Sequence, residues 1–280
     1  MLVSGLINET RRILSIFRQQ GKSIGLIPTM GALHEGHLSL IDASLRSNDI
    51  SVVSIFVNPT QFNDSNDFNN YPRDTNKDLE LIRIKGCDLA FVPGEQEIYS
   101  EKDQRIFEFG TLDKYMEGKY RPGHFNGVAQ IVSRLFSIIE PDKAYFGEKD
   151  FQQLVIIKKL VEQLNLPVEI VSCPIIRESD GLAMSSRNQL LTPAQRKSAS
   201  RISAVLLKTK SLARKIKIPE LKDYVISEID SDPNLKTEYF EIVLESDMIP
   251  LKNWPPKIPV IACIAVKAGH IRLIDNIKFS

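Results

Sequence analysis

The chain has 280 residues, which is long enough for one large domain and a smaller one. Its 36 lysines and arginines nearly balance its 35 aspartates and glutamates, and the formal charge of +1 offers no broad electrostatic surface for nucleic acid or an acidic membrane. The composition therefore favours a protein that handles small molecules.

The cysteines indicate the cellular compartment. Cys87, Cys173 and Cys263 are far apart and stand in apolar, strand-like runs, which predicts reduced core thiols in a cytoplasmic protein; a catalytic thiol is the less favoured alternative. No long apolar run follows the first residues, and no later stretch reaches membrane-spanning length. We therefore expect a protein that is neither exported nor inserted into a membrane.

In chain order, the first two thirds alternate between strands and helices. Apolar, β-branched runs predict strands at 23–27, 50–57, 87–93 and 168–171, with a further strand that begins at residue 143. Helical spacing of apolar residues predicts helices around 13–17, 38–45, 79–84 and 128–136 and over 151–164. Residues 63–70 are polar and predict a loop, whereas residues 105–109 alternate as a strand would. This alternation predicts a Rossmann-like, doubly wound parallel sheet.

The composition changes after Pro174. Residues 177–188 are small and polar with little periodicity, which is typical of a functional loop. Helices over about 193–215 and 220–229, then strands at 238–244, 260–266 and 270–274, predict a smaller α+β domain with an antiparallel sheet. We place the boundary between domains 1–175 and 176–280.

One strand-to-helix crossing carries the strongest chemical signal. In Pro28-Thr29-Met30-Gly31-Ala32-Leu33-His34-Glu35-Gly36-His37 we expect the N–H groups and positive dipole of the helix start to face the carboxyl edge of the sheet, where anions bind. The glycines allow close approach of a ligand, and His34 and His37 supply two donors for one phosphate. The alternative is a glycine-rich turn with two solvated histidines, and a bare His-x-Gly-His would favour it.

Further polar patches follow other predicted strands, at 58–62, 147–153 and 177–188. Lys149 and Arg187 are suited to neutralise phosphoryl charge, and Ser185 and Ser186 add hydroxyl donors. Taken singly, each patch has a plain alternative: a solvated helix start, a turn or surface amides. The residues alone indicate a nucleotide-using α/β enzyme.

Taken together, these motifs resemble the pantoate–β-alanine ligase family of the nucleotidyltransferase superfamily, which shares the His-x-Gly-His signature with class I aminoacyl-tRNA synthetases. The similarity spans roughly residues 3–275, in family order and spacing. The matching stretches are Pro28–His37, Phe56–Phe62, Tyr71-Pro72-Arg73, Arg121–Phe125, Phe146–Gln153 and Asp180–Asn188.

The resemblance implies ATP-dependent condensation of (R)-pantoate with β-alanine to pantothenate, AMP and pyrophosphate through a pantoyl adenylate, in pantothenate and coenzyme A biosynthesis. It implies catalytic roles for His34, His37, Lys149 and Arg187, with His37 as the proton donor. The implied ATP site comprises Met30, Gly31, Ala32, Leu33, His34, Glu35, Gly36, His37, Gly147, Glu148, Lys149, Asp150, Ile176, Met184, Ser185, Ser186 and Arg187.

For the other substrates, the resemblance implies that Gln61 and Gln153 hold pantoate, that Gln61 also lies near β-alanine, and that Asn58 shapes the pocket. Arg121 and His124 lie in a matching stretch without a firm role.

The resemblance also implies Mg²⁺ held mainly by the ATP phosphates. Some relatives carry adjacent aspartates after Tyr-Pro-Arg, whereas here Lys77 precedes Asp78, so Asp78 remains the single candidate metal ligand. A homodimer formed through the N-terminal domain and a C-terminal domain that acts as a lid are further implications.

Two other classes share the signature. A cytidylyltransferase normally adds a different C-terminal phosphate motif, and a tRNA synthetase needs an anticodon-reading domain that 280 residues scarcely allow. A non-catalytic binding protein on this fold would have lost a phosphate-facing residue, whereas His34, His37, Lys149 and Arg187 are all present.

Overall fold

The computed structural model describes residues 1–279, which form two compact units. Unit 1 comprises Met1–Phe109, Arg121–Glu148 and Gln153–Pro174. Unit 2 comprises Gly110–Tyr120, Lys149–Gln152 and the chain from Ile175 onward. The boundary between residues 175 and 176, as the limit of two functional domains, stays a prediction.

Unit 1 contains a six-stranded parallel sheet, as the alternating pattern predicts. Its strands are β1 (Leu2–Ser4), β2 (Ile24–Thr29), β3 (Ile50–Ile55), β4 (Leu89–Phe91), β5 (Lys143–Gly147) and β6 (Glu169–Cys173). They lie in the order β1-β4-β3-β2-β5-β6.

This strand order creates a switch point between β2 and β5. From β2 the chain proceeds to β3 and β4 on one side, and it then returns to β5 and β6 on the other. In open α/β sheets, ligands bind beyond the carboxyl ends of the strands at such a reversal. The predicted phosphate-binding stretch begins at the carboxyl end of β2 and is therefore at this position.

The helices are α1 (Ile7–Gln19), α2 (Glu35–Leu45), α3 (Ser65–Asn69), α4 (Thr75–Lys85), α5 (Glu95–Ile98), α6 (Glu117–Tyr120), α7 (His124–Ile139), α8 (Phe151–Gln163), α9 (Pro193–Leu212) and α10 (Ile218–Asp230). Three short 3-10 helices cover Pro59–Gln61, Glu148–Asp150 and Ser186–Leu190.

Both faces of the central strands are buried, which explains their mostly apolar sequence. Leu26 and Val52 point to one face, Ile27 and Val53 point to the other, and all four are 0% exposed. On the second face, residues of α2 and α4 complete a core that includes Ile41. Flanking helices and a buried parallel sheet confirm the predicted fold class.

Unit 2 contains an antiparallel sheet of β7 (Leu235–Leu244), β8 (Val260–Ala268) and β9 (Ile271–Phe279). The apolar faces of α9 and α10 share one buried core with this sheet. The segment 110–120 joins it through Glu117, whose Oε1 accepts hydrogen bonds from Tyr239 and Arg272 at 2.7 Å each. The predicted small α+β unit is confirmed.

One predicted strand is wrong. Residues 105–109 form no strand, because their backbone is bonded to side chains of α7 instead of a neighbouring strand. Asn126 Oδ1 accepts from the Phe107 N–H at 2.8 Å, and the amide groups of Asn126 and Gln130 donate to the Arg105 carbonyl. The predicted loop at 63–70 also contains the short helix α3, and β1 was not predicted.

The cysteines are core residues, as predicted. Cys87, Cys173 and Cys263 are buried, and no disulfide joins them. Burial raises the pKa of the Cys87 thiol to about 12, so this thiol stays protonated and unreactive at neutral pH. Within residues 1–279, no helix combines the length and apolarity needed to cross a membrane.

Candidate active site

The two signature histidines cap the start of α2, in a segment that we call the histidine loop (residues 29–37). His34 is the N-cap residue, and its Nδ1 accepts the Gly36 N–H at 3.1 Å. His37 Nδ1 accepts the His34 N–H at 3.4 Å. The two rings lie face to face with a tilt, and their centroids are 4.1 Å apart.

These bonds define the tautomer of each ring. A ring nitrogen that accepts carries no hydrogen, so the neutral imidazoles of His34 and His37 carry theirs on Nε2. Each side chain therefore presents an Nε2–H donor while its Nδ1 secures the loop. Two adjacent imidazole donors suit a phosphate group, as the sequence predicts.

Several backbone N–H groups of the histidine loop donate within the protein. Gly31 donates to Thr29 Oγ1 at 3.2 Å, and Ala32 and Leu33 donate to the Asp78 carboxylate at 2.9 and 2.7 Å. The His37 N–H donates to the His34 carbonyl at 2.8 Å. These four N–H groups therefore donate within the protein, and phosphate binding by the two imidazoles stays a prediction.

A second group of unit 1 side chains surrounds Gln61, at the end of the 3-10 helix that follows β3. Gln61 Nε2 donates to the Met30 sulfur at 2.9 Å, and Asn58 Nδ2 donates to Gln61 Oε1 at 3.2 Å. Asn58 is 1% exposed and also donates to the Gly127 carbonyl at 3.1 Å. The structure thus brings the predicted pantoate residues Asn58 and Gln61 together, and it links them to the histidine loop through Met30.

The Arg121–Phe125 stretch contacts the backbone of Gln61. His124 is 4% exposed, and its Nδ1 lies 2.8 Å from the Gln61 carbonyl oxygen, while Arg121 Nη1 lies 3.1 Å from His124 Nε2. Since arginine only donates, Nε2 accepts and the Nδ1–H donates to the carbonyl. This stretch therefore orients the backbone at Gln61, a role that the sequence does not reveal.

Tyr99 is a further supporting residue that sequence reasoning missed. Its hydroxyl donates to Asn58 Oδ1 at 2.8 Å, and burial raises the pKa of this phenol, which keeps it protonated. No local pattern marks Tyr99, because it lies on a different segment, 41 residues further along the chain.

Adjacent glutamines in α8 have different environments. Gln152 is 4% exposed; its Oε1 accepts the Glu117 N–H at 3.0 Å, and its Nε2 donates to the Leu112 carbonyl at 2.7 Å. It therefore organises the 110–120 segment of unit 2. Gln153 is half-buried and belongs to unit 1, and its pantoate role stays a prediction.

In unit 2, Lys149 lies in the 3-10 helix after β5. Its carbonyl accepts from Asn276 Nδ2 at 3.0 Å, which ties this short segment to β9. Its Nζ lies 3.5 Å from Asp150 Oδ2. The ammonium group therefore has a partially exposed carboxylate neighbour within its own 3-10 helix.

The predicted functional loop after β6 is a hairpin stabilised by hydrogen bonds and an ion pair. We call residues 176–188 the serine loop. Met184 N–H donates to the Ile176 carbonyl at 3.0 Å, and Ser185 Oγ accepts the Arg187 N–H at 3.3 Å. Arg177 forms a two-pronged pair with Asp275, at 2.6 and 2.9 Å. Ser186 is 5% exposed.

Glu178 stabilises the serine loop through hydrogen bonds to Asn188 and Arg196. Its two oxygens accept from Asn188 Nδ2 and Arg196 Nη2, both at 2.6 Å, and Arg196 also donates to Asp180 at 2.5 Å. The hydrogen bond from Arg196 lowers the pKa of Asp180, so the Asp180 carboxylate is ionised at neutral pH. These contacts hold Ser185, Ser186 and Arg187 on a defined backbone.

The side chains of residues 1–279 include no group of three or more His, Cys, Asp or Glu that would hold a metal ion. Asp78, the candidate ligand, is 2% exposed, and both of its oxygens accept backbone N–H groups. The donor set fits an ion that arrives with its own phosphate and water ligands better than an ion held in a protein cage.

The structure places the predicted site residues in two sets. Within unit 1 it brings together Met30, Gly31, Ala32, Leu33, His34, Glu35, Gly36, His37, Asn58 and Gln61. Gly147, Glu148 and Gln153 also belong to unit 1. Lys149, Asp150, Ile176, Met184, Ser185, Ser186 and Arg187 belong to unit 2.

Comparison with known proteins gives consistent matches over the full length. A family model described as Pantoate-beta-alanine ligase matches residues 3–278. The chain is 48% identical over 279 residues to a pantothenate synthetase of Bacteroides thetaiotaomicron, covering 100% of this chain and 99% of that protein. A pantothenate synthetase of Porphyromonas gingivalis is 47% identical over 280 residues, again covering 100% and 99%.

Solved structures agree. The crystal structure of pantothenate synthetase from Thermus thermophilus matches with a TM-score of 0.92 and 39% identity, covering 99% of both chains. A pantoate-beta-alanine ligase from Francisella tularensis, crystallised with beta-gamma ATP and beta-alanine, matches with a TM-score of 0.84 and 34% identity, covering 99% of this chain and 97% of that one.

Proposed function

The chain belongs to the pantoate–β-alanine ligase family and is a carbon–nitrogen ligase of pantothenate synthesis, and from this premise we propose that it activates (R)-pantoate as an adenylate. One observation carries the proposal furthest: the histidine loop follows β2 at the switch point of the sheet, with both imidazoles in the tautomer that donates from Nε2. Adenylyl transfer needs such donors at an ATP-binding edge.

The proposed chemistry has two steps. A pantoate carboxylate oxygen attacks the α-phosphorus of ATP, the bond from this phosphorus to the bridging oxygen breaks, and pyrophosphate leaves. The amine of β-alanine then attacks the acyl carbon of the pantoyl adenylate, AMP leaves with the bonding pair, and the nitrogen loses a proton. The first step brings two anions together, so it requires cationic and hydrogen-bonding groups around the phosphates.

The signature histidines serve the first step in this proposal. Hydrogen bonds from His34 and His37 Nε2 strengthen as negative charge grows on the phosphoryl oxygens, which lowers the barrier more than it strengthens ATP binding. His37 is the proposed proton donor. The tilted stacking of the two rings and their Nδ1 bonds fix the imidazoles before the substrate arrives.

We assign the phosphate-facing cations to unit 2. Lys149 and Arg187 supply positive charge to the triphosphate, and Ser185 and Ser186 supply hydroxyl donors. Their support is the resemblance of the Phe146–Gln153 and Asp180–Asn188 stretches to the family, together with the braced backbone of the serine loop. The remaining proposed ATP-site residues are Met30–Leu33, Glu35, Gly36, Gly147, Glu148, Asp150, Ile176 and Met184.

Gln61, Gln153 and Asn58 are the proposed pantoate residues. A glutamine amide offers donors and an acceptor to hydroxyl groups without repelling a carboxylate. Asn58, fixed by Tyr99 and Gly127, holds the Gln61 amide, so this side chain is oriented in advance. The family resemblance supports a place for β-alanine near Gln61. A solved relative from Francisella tularensis was crystallised with beta-alanine, which supports this amine as a substrate.

Mg²⁺ enters the proposal as an ion bound to ATP. When bound, it neutralises part of the triphosphate charge. The chain's own contribution is the cations Lys149 and Arg187 and the imidazole donors, since Asp78 is engaged by the histidine loop.

We also propose a homodimer formed through unit 1, a lid role for the C-terminal part from residue 176, and a cytoplasmic location. The family resemblance supports the first two, and three buried, unpaired thiols support the third. Light scattering of the purified protein tests the dimer: a mass near 63 kDa, twice the 31.7 kDa chain, supports it, whereas 31.7 kDa refutes it.

The overall activity has a direct test. AMP release is measured with ATP and Mg²⁺, with and without (R)-pantoate and β-alanine. We expect AMP and pantothenate in equal amounts only when both substrates are present. AMP without pantothenate, or ADP as the nucleotide product, would contradict the proposal.

A further inference from the structure

Asp78 is a buried carboxylate whose position is unusual for an acid. It lies in the first turn of α4 and is 2% exposed, whereas Asp74, the N-cap residue of the same helix, is exposed. A buried charge persists only where donors compensate it. Its partners therefore show what this side chain does.

Those partners are two consecutive backbone N–H groups of the histidine loop. Asp78 Oδ2 accepts from Ala32 at 2.9 Å, and Oδ1 accepts from Leu33 at 2.7 Å. Gly31 and Ala32 have φ angles of +77° and +49°, in the left-handed region that is costly for a residue with a side chain. The carboxylate thus stabilises a backbone turn that is unfavourable on its own.

The surroundings of Gly31 are adapted to this contact. A Cβ atom built on Gly31 would lie 2.8 Å from Asp78 Oδ2 and 3.2 Å from Ile55 Cγ2. The side-chain-free position lets the carboxylate reach the two N–H groups. Gly31 and Asp78 are therefore adapted to each other, although they are far apart in sequence.

The surroundings of the Asp78 carboxylate act on its charge in opposite directions. Burial raises the pKa of Asp78, and the N–H groups of Leu33 and Ala32 oppose that shift. Its place in the first turn of α4 adds the positive end of the helix dipole. The ionised form, which has acceptors on both oxygens and no O–H donor, suits the two N–H groups best.

We propose that Asp78 is a positioning residue, whose carboxylate fixes the histidine loop so that His34 and His37 keep the orientation needed for adenylyl transfer. This inference rests on the proposed function of the two histidines. It assigns Asp78 a backbone-anchoring role, because each of its two oxygens accepts a backbone N–H of the histidine loop.

The first test needs no substrate. The chain has four histidines, so ¹H–¹⁵N spectra of the imidazoles are simple, and His34→Gln and His37→Gln variants assign two of them. In Asp78→Asn, the amide nitrogen replaces one acceptor with a donor, so we expect the His34 and His37 signals to shift while those of His124 and His270 stay. Asp74→Asn is the matched control, with the same charge change on the same helix, and should shift neither pair.

A second variant approaches the contact from the other side. Gly31→Ala places a methyl group against Asp78 Oδ2 without changing α4, and we expect the same two histidine signals to shift. This variant keeps the test valid if Asp78→Asn folds poorly. Unchanged histidine signals in both folded variants would overturn the proposal, even if the wild-type protein is an active ligase.

Kinetics separates the anchor from a metal ligand. Asp78→Asn should lower kcat by about 10²-fold, as expected when reacting groups are displaced, with an unchanged Mg²⁺ concentration for half-maximal rate. Asp74→Asn should keep wild-type kcat. A raised Mg²⁺ requirement with activity restored by excess Mg²⁺ would overturn the anchor in favour of metal binding. If wild-type protein makes no pantothenate, the proposed function fails, whereas the spectra still decide the anchor.

Discussion

Removing the Gln61 side chain is a demanding test of the proposed pantoate site. In Gln61→Ala, the pantoate carboxylate or hydroxyl loses a partner that Asn58 and Met30 hold in place in the free protein. A hydrogen bond to a charged group contributes about 1.5–3 kcal/mol, and each 1.36 kcal/mol corresponds to about tenfold in rate. We therefore expect kcat/KM for pantoate to fall about 10- to 150-fold.

The effect should fall chiefly on pantoate, with ATP binding little changed. Gln61 is only half-buried, so its loss should change the free energy of unfolding by about 1 kcal/mol or less, and KM for ATP should change by less than about threefold. Gln61→Glu should reduce pantoate use further, because it places a negative charge near the substrate carboxylate.

The assay is steady-state release of pyrophosphate with pantoate varied at saturating ATP and β-alanine. Gln163→Ala is the matched control: it removes the same side chain from an exposed position at the end of α8, where the amide donates to the Glu108 carbonyl at 2.8 Å. We expect it to behave as wild type. A Gln61→Ala protein with kcat/KM for pantoate within twofold of the control would refute the assignment.

Three further predictions concern the metal, the serine loop and the thiols. EDTA should abolish activity, and the Mg²⁺ concentration for half-maximal rate should rise in step with total ATP; a requirement independent of ATP would contradict an ATP-borne ion. Arg177→Ala should destabilise the protein by about 3 kcal/mol in urea unfolding at pH 8, because it leaves the carboxylate of Asp275, which is 3% exposed, without its cation. Burial raises the pKa of Asp275 in the folded protein above its unfolded value, so the folded protein binds this proton more tightly. The loss of unfolding free energy in Arg177→Ala should therefore become smaller as the pH falls from 8 towards 5, where Asp275 is protonated more readily. An equal loss at both pH values would contradict this. Cys87, with its pKa raised to about 12, should resist Ellman's reagent at pH 8 in the native protein and react after unfolding.

The sheet and its order of elements could be predicted because their causes are local. The run 50–57 is almost continuously apolar and β-branched, as expected of a parallel strand covered on both faces, and β3 indeed occupies Ile50–Ile55. Residues 105–109 show the limit of this reasoning. Their alternation is real, but the side chains of Asn126 and Gln130 hydrogen-bond to their backbone. No local sequence pattern predicts these contacts.

In the site, too, local features could be predicted and contacts between distant residues could not. The histidine spacing marks the loop in the sequence, whereas the anchor at Asp78 lies 46 residues from Ala32 and becomes visible only when α4 packs beside α2. The bond from Asn276 to the Lys149 carbonyl spans 127 residues. The use of the loop N–H groups could not be foreseen either, because it depends on where the Nδ1 atoms and the Asp78 carboxylate lie.

Exchange of labelled pyrophosphate into ATP tests the adenylate mechanism and the role of the histidines most directly. We expect exchange with pantoate present and β-alanine absent, slowed about 10²–10³-fold in His34→Ala and in His37→Ala and unchanged in His270→Ala, which alters an exposed residue in the turn between β8 and β9. Exchange in the absence of pantoate would contradict the adenylate mechanism. So would a lack of exchange in enzyme that makes pantothenate and releases pyrophosphate freely. Normal exchange in both loop variants would remove His34 and His37 from the chemistry.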